Sequence, residues 1–331
     1  MKLLAIRLTA LGDVAMTLPV LESLKRANPA WDITLLSSPA AAQMVETLQL
    51  GIHVKAVNVK RDYEGVAGLN RLYGELREEH YDKVADLHDV LRSQYLRFRF
   101  FLNGIPTAHI HKGRREKKAL VSHLNLRQLT SGFERYRDVF RRLGFAEFPL
   151  DYHCPLSHDY DPTYTDIGIA PFAQHEGKVY PIRLMAEVIK RLLEKNETVR
   201  IFLFGGKNER EALVPLEINE RVINLAGKGS IAGDMLRMKD LRCVISMDSF
   251  NMHLASLMET PVISVWGATH PYAGFLGFGQ SDRHVVQLND LPCRPCSIYG
   301  NKPCRYDDYH CLTGIDPSLI VKKVYECLDS R

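Results

Sequence analysis

No uninterrupted apolar run in the 331 residues is long enough to span a bilayer, and no internal repeat or low-complexity tract is present. The first absence argues against a helical membrane span. Charge of one sign is missing too: 43 basic against 39 acidic side chains leave only +4, too little to argue for nucleic acid. Neither half holds a G-x-G-x-x-G fingerprint or a G-x-x-x-x-G-K-[ST] phosphate loop, so any nucleotide site has to be built from other residues. The opening segment Met1 to Leu8 has one lysine and an apolar run broken by Arg7, with no small-residue cleavage pattern after it, so a cytoplasmic protein is expected, at most peripheral to a membrane. Seven cysteines, an odd number, fit a reducing compartment better than a disulfide scaffold.

What is there is alternation. Leu3 to Leu8 reads as a short buried strand, Val14 to Lys25 as a helix with Leu18, Leu21 and Leu24 at helical spacing, and Asp32 to Leu36 as a second strand. Pro19 is tolerable in that helix if it falls in the first turns, where its missing donor costs least. Val54 to Val59, Val84 to Leu87 and Ala108 to Ile110 supply further strands. A second series follows the polar, proline-bearing stretch 155–164: strands at Asp166 to Ala170, Arg200 to Phe204, Val222 to Leu225, Leu241 to Ser246 and Pro261 to Val265, with helices at Ile182 to Leu193, Ile231 to Met238 and Phe250 to Met258. Such β-α repetition predicts two parallel sheets in an α/β chain. The domain limits expected are 1–155, 156–315 and a terminal helix over 316–331, capped at Asp316-Pro317 and packing back toward the domain junction.

Chemistry is expected where strands end and helices begin, because open α/β sheets bind ligands there. Gly12-Asp13 follows the first apolar run, and Asp248-Ser249 follows a late one, ahead of Asn251 and His253. Gly12 permits close backbone approach and Asp13 exposes a carboxylate at a helix start; the alternative is an ordinary cap. As a base, Asp13 would take the proton of an alcohol as that oxygen attacks an electrophilic carbon, and the alcohol's own acidification means that no raised pKa is required in advance. Lys178, after the first strand of the second half, offers a point charge to a diphosphate or is simply a solvated lysine. Asp248 and Ser249 cap the helix they precede, or leave its amides for phosphate while Asp248 accepts sugar hydroxyls. His253 binds ligand or satisfies a buried helix position.

These residues, in this order, resemble the bacterial heptosyltransferases of glycosyltransferase family 9. The resemblance rests on Arg7-Leu-Thr-Ala-Leu-Gly-Asp13-Val14 with Thr17-Leu18-Pro19, on Lys178, on Gly205-Gly206 followed by Glu209, on Val244 to Ala255 containing Asp248-Ser249 and His253, and on Pro261 and Trp266-Gly267-Ala-Thr269. It implies a GT-B fold, two Rossmann-like parallel-sheet domains facing a cleft, with the acceptor mainly on the amino side and the nucleotide sugar on the carboxyl side. It further implies metal-independent, inverting transfer of heptose from ADP-heptose to a lipopolysaccharide core or related lipid-linked saccharide. Asp13 would be the general base and Lys178 the stabiliser of the departing diphosphate; Gly12, Glu209, Asp248, Ser249 and His253 would bind substrate, Glu209 at the nucleotide ribose. The family's usual Asp-Thr-Gly is Asp248-Ser249-Phe250 here, which keeps the donor sugar open. Two other functions remain on the table: a GT-B nucleotide-sugar epimerase, turning over without acceptor, and a non-catalytic nucleotide-sugar-binding interaction module.

Two clusters stand apart. Lys112, Arg114, Arg115, Lys117 and Lys118 surround the single acid Glu116, and Arg92, Arg97, Arg99, Phe98, Phe100, Phe101 and Leu102 lie upstream. They read as phosphate contacts for a lipid-linked acceptor and a peripheral contact with the inner membrane's cytoplasmic face, or as an ordinary solvated basic face; no nucleic-acid motif accompanies them. Cys293, Cys296, Cys304 and Cys311 have the spacing of a structural zinc site, with reduced thiols or one or two disulfides as the alternatives. No cofactor is expected for catalysis.

Overall fold

A computed structural model describes residues 1–330. The first apolar run forms β1 (Lys2–Ile6), followed by α1 (Leu11–Ala27), β2 (Asp32–Ser37), α2 (Pro39–Leu48), β3 (His53–Ala56), the single turn α3 (Val59–Asp62), α4 (Gly65–Arg77), β4 (Lys83–Asp86), α5 (Leu91–Leu102) and β5 (Thr107–His109). These strands form one parallel sheet in the order β3-β2-β1-β4-β5. The chain starts at the centre, winds out to β3 and returns to the other side of β1, so the winding reverses between β1 and β4. At that reversal the helices after the two strands leave on opposite faces, which opens a crevice at the strands' carboxyl ends. Leu4, Ile6, Leu36, Leu72, Val84, Leu96 and Phe100 form a core on one face of this sheet.

The connection onward runs through α6 (Arg114–Val121) and α7 (Gly132–Arg142). A second sheet follows: β6 (Thr165–Ala170), α8 (Ile182–Lys195), β7 (Val199–Leu203), α9 (Arg210–Leu213), β8 (Val222–Asn224), α10 (Ile231–Lys239), β9 (Cys243–Met247), α11 (Phe250–Leu257), β10 (Val262–Val265), β11 (Val285–Val286), α12 (His310–Thr313) and α13 (Pro317–Asp329). Its order is β11-β10-β9-β6-β7-β8, again all parallel. Here the reversal lies between β6 and β9. Both sheets are flanked by helices in the Rossmann manner, as the alternating pattern leads one to expect.

The chain divides into two compact units at Pro155/Leu156, but the division is not purely sequential: Gly113–Ser131 belongs with the carboxyl unit and Gly132–Pro155 returns to the amino one. Leu120 and Leu129 bury against Ala273, Phe275 and Ile298, apolar contacts that hold the α6 segment to the carboxyl unit. An amino-side domain running unbroken over 1–155 is thereby corrected. The terminal helix packs on α8 and on the sheet of the carboxyl unit through Ile320, Val321, Val324 and Cys327, and Asp316 caps it by accepting from the Ser318 amide at 2.7 Å. Arg331, the last residue of the expected 316–331 span, lies outside the described residues.

Pro19 is a second correction. α1 begins at Leu11, so the proline sits in mid-helix and its ring removes a backbone donor where one is normally needed. The helix survives because Val14 through Leu21 are all buried and tertiary packing outweighs local propensity.

Candidate active site

In the amino unit, β1 ends at Ile6, directly opposite Asp86 of β4. The next residue, Arg7, is almost completely buried, and its guanidinium donates to the Leu87 carbonyl at 2.7 Å. The same group reaches Asp13 Oδ2 at 2.6 Å, with the Asp13 side chain 36 % exposed and that of Arg7 only 7 %. A carboxylate in the first turn of α1 is thus fixed through one oxygen by a buried partner, and its second oxygen is left as a proton acceptor. Gly12 precedes it in the same turn.

The loop after β4 adds residues that sequence reading missed. Asp86 is fully buried and accepts from the amides of His88 at 3.0 Å and Asp89 at 2.8 Å, while Arg97 pairs with its other oxygen at 2.9 Å. His88 lies against the turn leading to Asp13: its Nδ1 accepts from Leu8 N and its Nε2 meets Thr9 Oγ1, both at 3.4 Å. Burial, then the positive charges of Arg7 and Lys112, pushes the His88 pKa down to about 4. The ring is therefore neutral near pH 7 and acts as a hydrogen-bonding support.

In the carboxyl unit the 3₁₀ turn Glu176–Lys178 follows β6, and Asp248 follows β9, the strand across the reversal. Lys178 Nζ lies 3.2 Å from Asp248 Oδ2, with side chains 14 % and 7 % exposed. Ser249 is the N-cap of α11, yet its hydroxyl meets Ser246 Oγ at 3.3 Å and makes no cap hydrogen bond. A cation and a helix start not closed by its own cap therefore meet at the carboxyl ends of two central strands, an arrangement suited to an anionic group. His253 is buried within α11, one turn in.

Other candidates are placed differently. Glu209 Oε2 accepts from the Gly206 amide at 2.6 Å, so this oxygen closes its own turn. Arg97 is held by Asp86 and Asp89, and Arg99 by Asn70 with its guanidinium over Tyr73. Of the basic run, Lys117 is buried with its ammonium 4.4 Å from the Phe275 ring and 5.8 Å from that of Tyr299, a cation–π anchor in place of a phosphate contact. Arg114, Arg115 and Lys118 are exposed on α6.

Cys293, Cys296, Cys304 and Cys311 line a single cavity of about 270 Å³ together with Arg294, Asp308, Tyr309 and His310, and all are free thiols. Among the described residues, no three His, Cys, Asp or Glu side chains are gathered to hold a metal ion. Burial raises the Cys296 thiol and pushes Cys311 up to about 11.

Comparison with known proteins gives this geometry a context. The family model described as Glycosyltransferase family 9 (heptosyltransferase) matches residues 69–310. Lipopolysaccharide heptosyltransferase 1 of Pseudomonas aeruginosa is 25% identical over 324 residues, spanning 92% of this chain and 88% of its own. A glycosyl transferase family 9 structure from Veillonella parvula superposes with a TM-score of 0.79 at 19% identity, over 100% of this chain and 98% of that one. The ADP-heptose lps heptosyltransferase II of E. coli does so with a TM-score of 0.73 at 19% identity, over 100% and 99%. The two structural likenesses establish the GT-B architecture of two Rossmann-like units.

Proposed function

The chain belongs to glycosyltransferase family 9, and on that premise we propose that it transfers heptose from ADP-heptose to a lipid-linked saccharide, inverting the anomeric centre. The observation that carries this reading is the half-exposed Asp13 carboxylate, clamped by buried Arg7 at the carboxyl end of the central strand. An acceptor hydroxyl attacks the anomeric carbon; as the new C–O bond forms, its proton passes to Asp13 and the bond to the diphosphate breaks on the opposite face. The departing ADP takes the electron pair, and its growing charge is met by Lys178 and the first amides of α11. Asp248 holds Lys178 in place and accepts from donor hydroxyls. Holding both substrates in line removes most of the encounter cost.

The lipid part of the acceptor suggests a place for the exposed side of α5. Ser93, Leu96 and Phe100 face the core, whereas Leu91, Phe98 and Leu102 recur on the opposite side and are 85 %, 55 % and 62 % exposed, with Phe101 and Arg92 beside them. An outward apolar stripe next to arginine suits the headgroup region of an anionic bilayer.

The reading is tested by incubating the protein with ADP-heptose, with and without a panel of lipopolysaccharide precursors, and following products by mass spectrometry. A heptose-sized increment on one precursor supports transfer. A change in the nucleotide sugar that proceeds without any precursor would instead reveal an epimerase.

A further inference from the structure

The turn that carries Lys178 is only three residues long and belongs to no strand or α-helix, so, with Asp248 paired to its ammonium, something else has to hold the turn's backbone in register. The structure assigns this role to Arg294: it is a positioning residue that locks the Lys178 turn through the loop following β11. The assignment rests on the reading of Lys178 as the diphosphate stabiliser.

Arg294 is buried, and its guanidinium donates to four carbonyl oxygens: Gly267 O at 2.5 Å, Thr269 O at 2.9 Å, Leu288 O at 2.9 Å and Gln287 Oε1 at 2.7 Å. A planar fork with five donors can tie two separate segments in one geometry, which a lysine cannot do. Here the segments are 287–288 and the 267–269 turn after β10. Between the two tied carbonyls, the Ala268 amide donates to Gly177 O at 2.8 Å, and Ala268 O accepts from Cys296 N and Ser297 N. Gly267 packs so closely that a Cβ there would lie 2.6 Å from Gly177 O. The arginine thus fixes the very turn to which Gly177 is bonded, one residue before Lys178.

The same loop closes over the lysine from the other side. Gly300, at φ +76°, lies against the Lys178 stem: an added Cβ would sit 2.5 Å from both its Cγ and its Cδ. The Gly300 turn is held by Ser297 Oγ, which accepts from its amide at 2.9 Å. Tyr309 donates its hydroxyl to Glu176 Oε2 at 3.2 Å. The 293–311 segment, in which the only regular element is the short α12, therefore works as a clamp on the diphosphate lysine; a connection this long without regular structure usually serves a function.

The experiment compares Arg294→Lys and Gly300→Ala in the full chain, each alone and combined with Lys178→Ala. Exchange of the Ala268 amide, the donor to Gly177 O, rises at least about tenfold in Arg294→Lys, while amides of β9 and β10 keep their protection. Transfer falls through kcat by on the order of 10²-fold, with the acceptor KM unchanged, and neither substitution lowers the residual rate further once Lys178 is alanine. Gly300→Ala, which alters one methyl beside the lysine, gives the same kinetic defect if Arg294→Lys folds poorly. Equal losses in both backgrounds, or unchanged exchange at Ala268, overturn the assignment. If the unmodified protein transfers no heptose at all, the proposed function fails, whereas the exchange result still decides whether Arg294 holds this turn.

Discussion

Lys178 and Asp248 are coupled tightly enough that each single substitution carries a cost in stability as well as in rate. Lys178→Ala leaves a carboxylate that is 7 % exposed without its ion-pair partner, and breaking a pair this buried costs about 3 kcal/mol. Adding Asp248→Asn removes the orphaned charge, so urea unfolding should show the double variant recovering much of that loss while transfer stays low; a double variant no more stable than Lys178→Ala would contradict the pairing. Two histidines give a pH signature. Burial lowers His88 and His270 from 6.5 to about 4, aided by Arg7 and Lys112 at the first and by Arg294 at the second. Their folded forms refuse a proton that the unfolded chain accepts, so stability is level above pH 6.5 and falls as pH drops from 6.5 toward 4, by about 3 kcal/mol for each histidine. Unfolding midpoints at pH 7 and pH 4.5 measure this, and His88→Gln should remove part of the slope. The positions of Asp13 and Lys178 just beyond strand ends were legible because each follows an apolar run in a glycine-bearing turn. His88 was not: its place beside Asp13 arises from the pairing of Ile6 with Asp86, which local sequence does not encode.

The elements that announced themselves carry an unmistakable apolar signal: β1 and β6 are continuous runs buried on both faces, and α8 buries one helical face. α13 adds a cap at Asp316 that the structure contains. α5 and α6 escaped notice for a physical reason: α5 is apolar on two opposite sides, and the first five of the eight residues of α6 are charged. The burial of Lys117 depends on rings about 160 and 180 residues further along the chain, so no local pattern could reveal it. β11 has only two residues, below what alternation can signal. The outward side of α5 carries a prediction of its own. Phe98→Ser with Leu102→Ser leaves Leu96 and Phe100 in the core, so the fold should persist while retention on phosphatidylglycerol vesicles drops about tenfold or more. Retention equal to that of the unmodified protein would remove α5 from the membrane account.

At the scale of the whole molecule, two parallel sheets each reverse their winding once, and each reversal lies beside residues proposed to carry the chemistry: Asp13 and His88 at β1 and β4, Lys178 and Asp248 at β6 and β9. That coincidence was only half readable from sequence, because β-α alternation predicts parallel sheets but not where the order turns back. The grouping of Gly113–Ser131 with the carboxyl unit was hidden for the same reason, since contacts between distant segments decide it. The central claim is that Asp13 takes the acceptor proton in a transfer whose donor binds through the other unit. It is tested most directly by measuring heptose transfer from ADP-heptose to a matched lipid-linked precursor for the unmodified protein and Asp13→Asn, with ADP affinity determined calorimetrically on both. The account predicts a rate lower by about 10²-fold or more in Asp13→Asn with ADP affinity unchanged; transfer by Asp13→Asn at the unmodified rate would contradict it.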